Sequence, residues 1–150
     1  MTTFDSEQVN ITRNDQLIFN FLSDFNNFQK LMPPQVSEWR SDSDHCSFNI
    51  QNMATLGMTY ELKQPFSHII IISEGKSPFR FNLHCYLDAV SANSTNVNLQ
   101  LNAELNMMLK MMASKPLANF INILASKLKE VCETNLPDTP IIWSEEDNTL

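Results

Sequence analysis

The chain is predicted to adopt an α+β fold, an antiparallel meander of strands covered by one long C-terminal helix, with two short helices after the first strand. Three observations point there. Residues 97–105 read V-N-L-Q-L-N-A-E-L, with apolar side chains at every odd position, the period of a strand that is buried on one face. Residues 107–132 change to apolar spacing of threes and fours, the stripe of a helix able to lie on that face. Between them and the N-terminus, strand-like runs follow one another with short polar turns, which suits antiparallel neighbours.

The elements follow in order. A first strand is expected over residues 4–11, and T-R-N-D at 12–15 resembles a capping box that opens a helix burying Leu17, Ile18, Phe21 and Leu22. A second short helix from Asp24 places Phe25, Phe28, Leu31 and Met32 on one side, and Pro33-Pro34 ends it. Strands are then expected over residues 36–40, 46–50, 56–62, 68–73, 80–87 and 97–105. The turn-prone clusters S-D-S-D (41–44), Q-P (64–65), E-G-K-S-P (74–78) and S-A-N-S (91–94) separate them. The last helix starts near residues 106–109 and carries Leu117, Phe120, Ile121, Leu124, Leu128 and Val131. Pro116 inside it implies either a new start capped by Ser114 or a bend. Residues 1–135 are read as one domain. Residues 136–150 form a proline-punctuated acidic tail in which Ile141, Ile142 and Trp143 can dock on the surface.

Composition narrows the function. A net charge of -7 opposes binding to phosphate backbones and anionic lipid headgroups, so nucleic acid is not an expected partner. The start lacks the basic and apolar blocks of a secretion signal, and the longest aliphatic run, residues 69–72, is too short to span a bilayer. A cytoplasmic protein without integral membrane association is expected. Three scattered cysteines, Cys46, Cys85 and Cys132, suit reduced, packed thiols and offer no paired zinc motif. With two glycines in the chain, neither a phosphate-binding loop nor a dinucleotide fingerprint can be assembled.

Strand parity separates the inner face from the outer. The inward sets are Cys46, Phe48 and Ile50; Leu56, Met58, Tyr60 and Leu62; Phe81, Leu83, Cys85 and Leu87; Val97, Leu99, Leu101, Ala103 and Leu105. Tyr60 alone among them brings a strong polar atom, whereas His45, Glu61, Arg80, His84, Asp88 and Glu104 fall at alternate positions and face water. No catalytic set, metal site or cofactor is expected, and His45, His68 and His84 lack the paired spacing of metal ligands. If the sheet leaves a gap beneath the helix, it makes an apolar pocket of roughly 300 to 1,000 Å³. The candidate lining comprises Phe48, Ile50, Met58 and Tyr60 from the earlier strands, and Phe81, Leu83, Cys85, Leu99, Leu101 and Ala103 from the last two. Met108, Met112 and Phe120 complete it from the helix, with Met107 and Met111 as further adaptable side chains. The plain alternative is that these residues are ordinary core. Trp39 is expected to rest on a neighbouring strand or to cap the entrance.

The order of elements resembles the helix-grip superfamily that includes START lipid-transfer domains, birch-pollen-allergen-like proteins and polyketide cyclases, often grouped as SRPBCC. F-L-S-D-F-N-N-F-Q-K-L-M-P-P at 21–34 is similar to its helix pair, and A-S-K-P-L-A-N-F-I-N-I-L-A-S-K-L at 113–128 to its last helix. The resemblance implies a strongly bent seven-stranded sheet gripping that helix round an apolar cavity, and a lipid-like or polyketide-like hydrophobic small molecule as partner. Other readings are a cyclase or aromatase using Tyr60, with or without a histidine, as proton donor, and a co-chaperone-like interaction module.

Overall fold

The computed structural model describes residues 1–50, 54–75 and 77–135. The chain runs β1 (Thr2–Asp5), β2 (Val9–Ile11), α1 (Asp15–Leu22), α2 (Phe25–Phe28), a 3-10 turn (Gln29–Leu31), β3 (Val36–Ser41), β4 (His45–Ile50), β5 (Ala54–Gln64), β6 (His68–Glu74), β7 (Phe81–Ser91), β8 (Ser94–Ala103) and α3 (Met107–Asn135). The strands form one antiparallel sheet in the order β1-β8-β7-β6-β5-β4-β3, with β2 also paired to β8.

The first strand is thus two. At the break, the Ser6 backbone N–H donates to the Leu99 carbonyl at 2.8 Å while the Ser6 hydroxyl accepts from the Leu99 N–H at 3.0 Å. A side chain replaces one rung of the ladder, and the next N–H, of Glu7, turns to Asn122 Oδ1 on α3 at 2.9 Å. Asn14 rather than Thr12 caps α1, its Oδ1 accepting from the Leu17 N–H at 2.9 Å, and Asp24 caps α2 through the Asn26 N–H. β7 and β8 are longer than expected, meeting at Ser91 and Ser94 across a two-residue turn.

α3 is one continuous helix through Pro116, so a separate helix capped by Ser114 is excluded; the Ser114 hydroxyl instead donates to the Lys110 carbonyl one turn back at 2.5 Å. Asn106 caps the helix by accepting from the Leu109 N–H at 2.9 Å. The far end is tied down by charge. Glu133 accepts from the Thr12 N–H and hydroxyl and from Lys129, at 2.8 to 3.0 Å, and Arg13 donates to the Glu133 carbonyl.

The concave face of the sheet and the stripe Ala113, Leu117, Ile121, Leu124, Ala125, Leu128, Val131 and Cys132 of α3 form the core, together with Ile18, Phe25, Phe28 and Leu31 from the helices after β2. Each large side chain removed from water there contributes on the order of 1.5 to 3 kcal/mol. One parity expectation fails. Glu61 is an extra residue opposite β6, between the pairs Tyr60↔Ile71 and Leu62↔Ile70, so Leu62 turns to the outer face and is exposed.

Candidate apolar binding site

The interior beneath α3 closes on a cavity lined by Phe48, Ile50, Leu56 and Met58 from β4 and β5, and by Phe81, Leu83 and Leu101 from β7 and β8. Phe79 seals one end, and Leu117, Phe120 and Ile121 supply the helical wall. Every one of these side chains is apolar. Its volume is about 20 Å³. A cavity needs roughly 10 to 15 Å³ to take one water, so the space is far below the roughly 300 to 1,000 Å³ foreseen for a ligand pocket. Aromatic rings account for the difference: Phe48, Phe79, Phe81 and Phe120 all project into the same space.

Of the remaining candidate residues, Cys85, Leu99 and Ala103 are fully buried in the core beside the cavity without lining it. Tyr60 lies apart. Its ring stacks on Phe25 at 4.2 Å, its hydroxyl donates to the Leu22 carbonyl at 2.5 Å, and the Lys63 ammonium sits 4.2 Å above the ring. The tyrosine therefore ties the end of α1 to β5 and is not the polar anchor of a pocket. Burial pushes its phenol well above the ordinary value, which removes it as an acid near neutrality.

Met108 and Met112 require a correction. Met107, Met108, Met111 and Met112 are 80%, 70%, 82% and 63% exposed, on the water side of the first turns of α3. The inward stripe begins at Ala113, and only Leu109 before it is partly buried. The preceding turns carry a helical pattern whose methionines stay in water. Leu56, Phe79, Leu117 and Ile121 were missing from the candidate lining, although Leu56 stood in the inward set of its strand. Leu117 and Ile121 were legible as part of the helix stripe, whereas Phe79 stands in a turn-like S-P-F-R context that no periodicity marks.

Polar chemistry lies outside. Trp39 stacks on Phe48 with centroids 5.3 Å apart and donates to Ser41 Oγ, resting on the neighbouring strand as expected. His68 and His84, on adjacent strands at the register His68↔Tyr86 and Ile70↔His84, meet with Nε2 and Nδ1 2.9 Å apart, and the Tyr86 ring packs beside both. Desolvation, then the neighbouring His68, lowers the His84 value. His45 Nδ1 bonds Glu74 at 2.9 Å and is raised by that carboxylate. Among the described residues no three histidine, cysteine or acidic side chains converge as a metal site. Cys46, Cys85 and Cys132 are buried free thiols, each pushed up by desolvation to about 12 and so not nucleophilic near neutrality. No helix among the described residues is long and apolar enough to cross a membrane.

No protein-family model matches the chain, and no curated protein matches its sequence. Solved structures do resemble it. A START superfamily protein from Mycobacterium smegmatis superposes with a TM-score of 0.63 at 12% identity, over 86% of this chain and 98% of that one. Norcoclaurine synthase from Thalictrum flavum, solved in complex with dopamine and hydroxybenzaldehyde, gives 0.65 at 8% identity over 91% and 88%. The di-domain ARO/CYC protein BexL, of the BE-7585A biosynthetic pathway, gives 0.59 at 14% identity over 87% of this chain and 46% of that one. Identities this low speak for the backbone alone. An open antiparallel sheet closed by one long C-terminal helix, shared with these proteins over most of its length, gives this chain the START-like helix-grip fold.

Proposed function

We infer that the chain binds a hydrophobic small molecule between the sheet and α3, in the cytoplasm. The observation that carries this reading is the wall itself, eleven apolar side chains from four strands, α3 and the Phe79 turn around one cavity. A cavity without hydrogen-bonding groups favours an apolar, lipid-like or polyketide-like guest over a polar one. Its small size adds a condition. Entry requires the ring cluster of Phe48, Phe79, Phe81 and Phe120 to part and α3 to stand off the sheet, so the guest's affinity is reduced by the cost of opening. The solved structures add support of a general kind, since one of them holds small aromatic molecules on the same fold.

A cyclase reading loses its tyrosine donor, because the Tyr60 hydroxyl is committed to the Leu22 carbonyl and Tyr60 is not among the residues that line the cavity. The test is native mass spectrometry of freshly purified protein together with displacement of an environment-sensitive fatty-acid probe. Co-purified mass or saturable displacement, blocked by Leu117→Trp, supports binding. Absence of both, with no thermal shift from any probe at saturating concentration, rejects it.

A further inference from the structure

We propose that the first turns of α3 receive the acidic tail of a second copy of this chain, so that two molecules clasp each other reciprocally into a dimer. Residues 107–112 read M-M-L-K-M-M, and at 3.6 residues per turn the four exposed methionines cover an arc of about 140°. A helix face this apolar is normally covered. The same surface is cationic. Lys115 falls within the methionine arc and Lys110 about 60° outside it, α3 carries no acid before Glu130, and the positive end of the helix dipole lies here. The occupant that fits is therefore an apolar segment flanked by carboxylates.

The chain contains such a segment. Residues 136–150 place Ile141, Ile142 and Trp143 between Asp138 and Glu145, Glu146 and Asp147. Large aliphatic and indole groups bury well against pliable methionine, and the acids complement Lys110 and Lys115. Reach decides whether the contact is within one molecule or between two. With a rise of 1.5 Å per residue, α3 sets Asn135 about 35 Å from Met112, whereas the eight residues to Trp143 span at most about 28 Å even when fully extended. A fully stretched tail brings only the end of this segment to the near edge of the face, at Met112, so one molecule cannot cover its own methionines with it. Two copies with their α3 helices antiparallel bring each Asn135 beside the other's methionines, so one two-fold axis satisfies both contacts and closes the assembly at two.

The experiment is sedimentation velocity on the full chain from about 1 to 100 µM, beside the double substitution Met111→Glu/Met112→Glu and a truncation ending at Asn135, which keeps every element among the described residues. The substituted side chains are exposed, so circular dichroism should match the parent. A dimer is expected for the full chain, weakened at least tenfold by either change and by raised salt. A synthetic peptide of residues 136–150 should bind the truncated protein with a blue shift of Trp143 emission, and should fail to bind once Met111 and Met112 are glutamates. A monomer throughout the range, a dimer surviving both changes, or peptide binding indifferent to the methionines overturns the proposal. Capture of the methionine face by phosphatidylcholine vesicles without self-association overturns it equally, in favour of a lipid surface.

Discussion

Gly57 shows how much one missing side chain decides. A Cβ built on it would lie 2.6 Å from the Glu74 carbonyl of the paired strand, and that neighbour is backbone with little freedom to retreat. Gly57→Ala is therefore expected to lower stability by about 1 to 3 kcal/mol through displacement of the β5 to β6 ladder, read as a lower urea midpoint with an unchanged slope. Tyr60→Phe removes the donor to the Leu22 carbonyl and leaves that acceptor half-buried, which should cost about 1 to 2 kcal/mol in the same assay while leaving probe binding in place. Loss of probe binding in Tyr60→Phe at full stability would restore the tyrosine to the site.

At the scale of elements, α3 is held at one end by charge and interrupted in the middle by proline. Burial would raise the Glu133 carboxylate, but the bonds from Lys129 and Thr12 outweigh it and hold it below the ordinary value of 4.5. A depressed folded value means the native state binds fewer protons than the unfolded one. The stabilisation is complete above that value and drains away as pH falls through the lowered one. Glu133→Gln should thus cost about 1 to 3 kcal/mol at pH 7, and the gap between variant and parent should narrow below about pH 4.5 in thermal scans. Pro116 denies α3 one backbone donor, so Pro116→Ala should raise the melting temperature, by up to about 3 kcal/mol of helix stability. An unchanged or lower melting temperature would mean that the helix needs the proline where it stands.

Over the whole molecule, the wall of the cavity is also the core, so enlarging the one must weaken the other. Leu117→Ala should lower stability by about 2 to 5 kcal/mol and leave a hole that small apolar probes fill, visible as a thermal shift larger than the parent's. Most of this architecture was readable in advance, because period two and period 3.6 are local properties of the chain and the inward sets on β4, β7 and β8 follow from them alone. What escaped was set by tertiary placement. The bulge at Glu61 reverses parity halfway along β5, and Met108 and Met112 keep a helical spacing although the buried stripe of α3 begins only at Ala113. The interior's fullness was equally hidden, since alternation says which way a ring points and nothing about how many rings share one space. Phe79 belongs to the same class, a buried residue that no period announces.

The irregularities at the two rims of the sheet bear on solubility. On one side the ladder is interrupted at Ser6 to Gln8; on the other, β3 shifts register between Ser37 and Arg40, with Glu38 at a φ of 54°. Neither rim offers a long, straight row of free amide and carbonyl groups. A stray strand arriving from another chain would meet a kink and a charge on one flank and two short, separate strands on the other. Built this way, the fold guards itself against runaway fibrous association even at the high concentrations a crowded cell imposes.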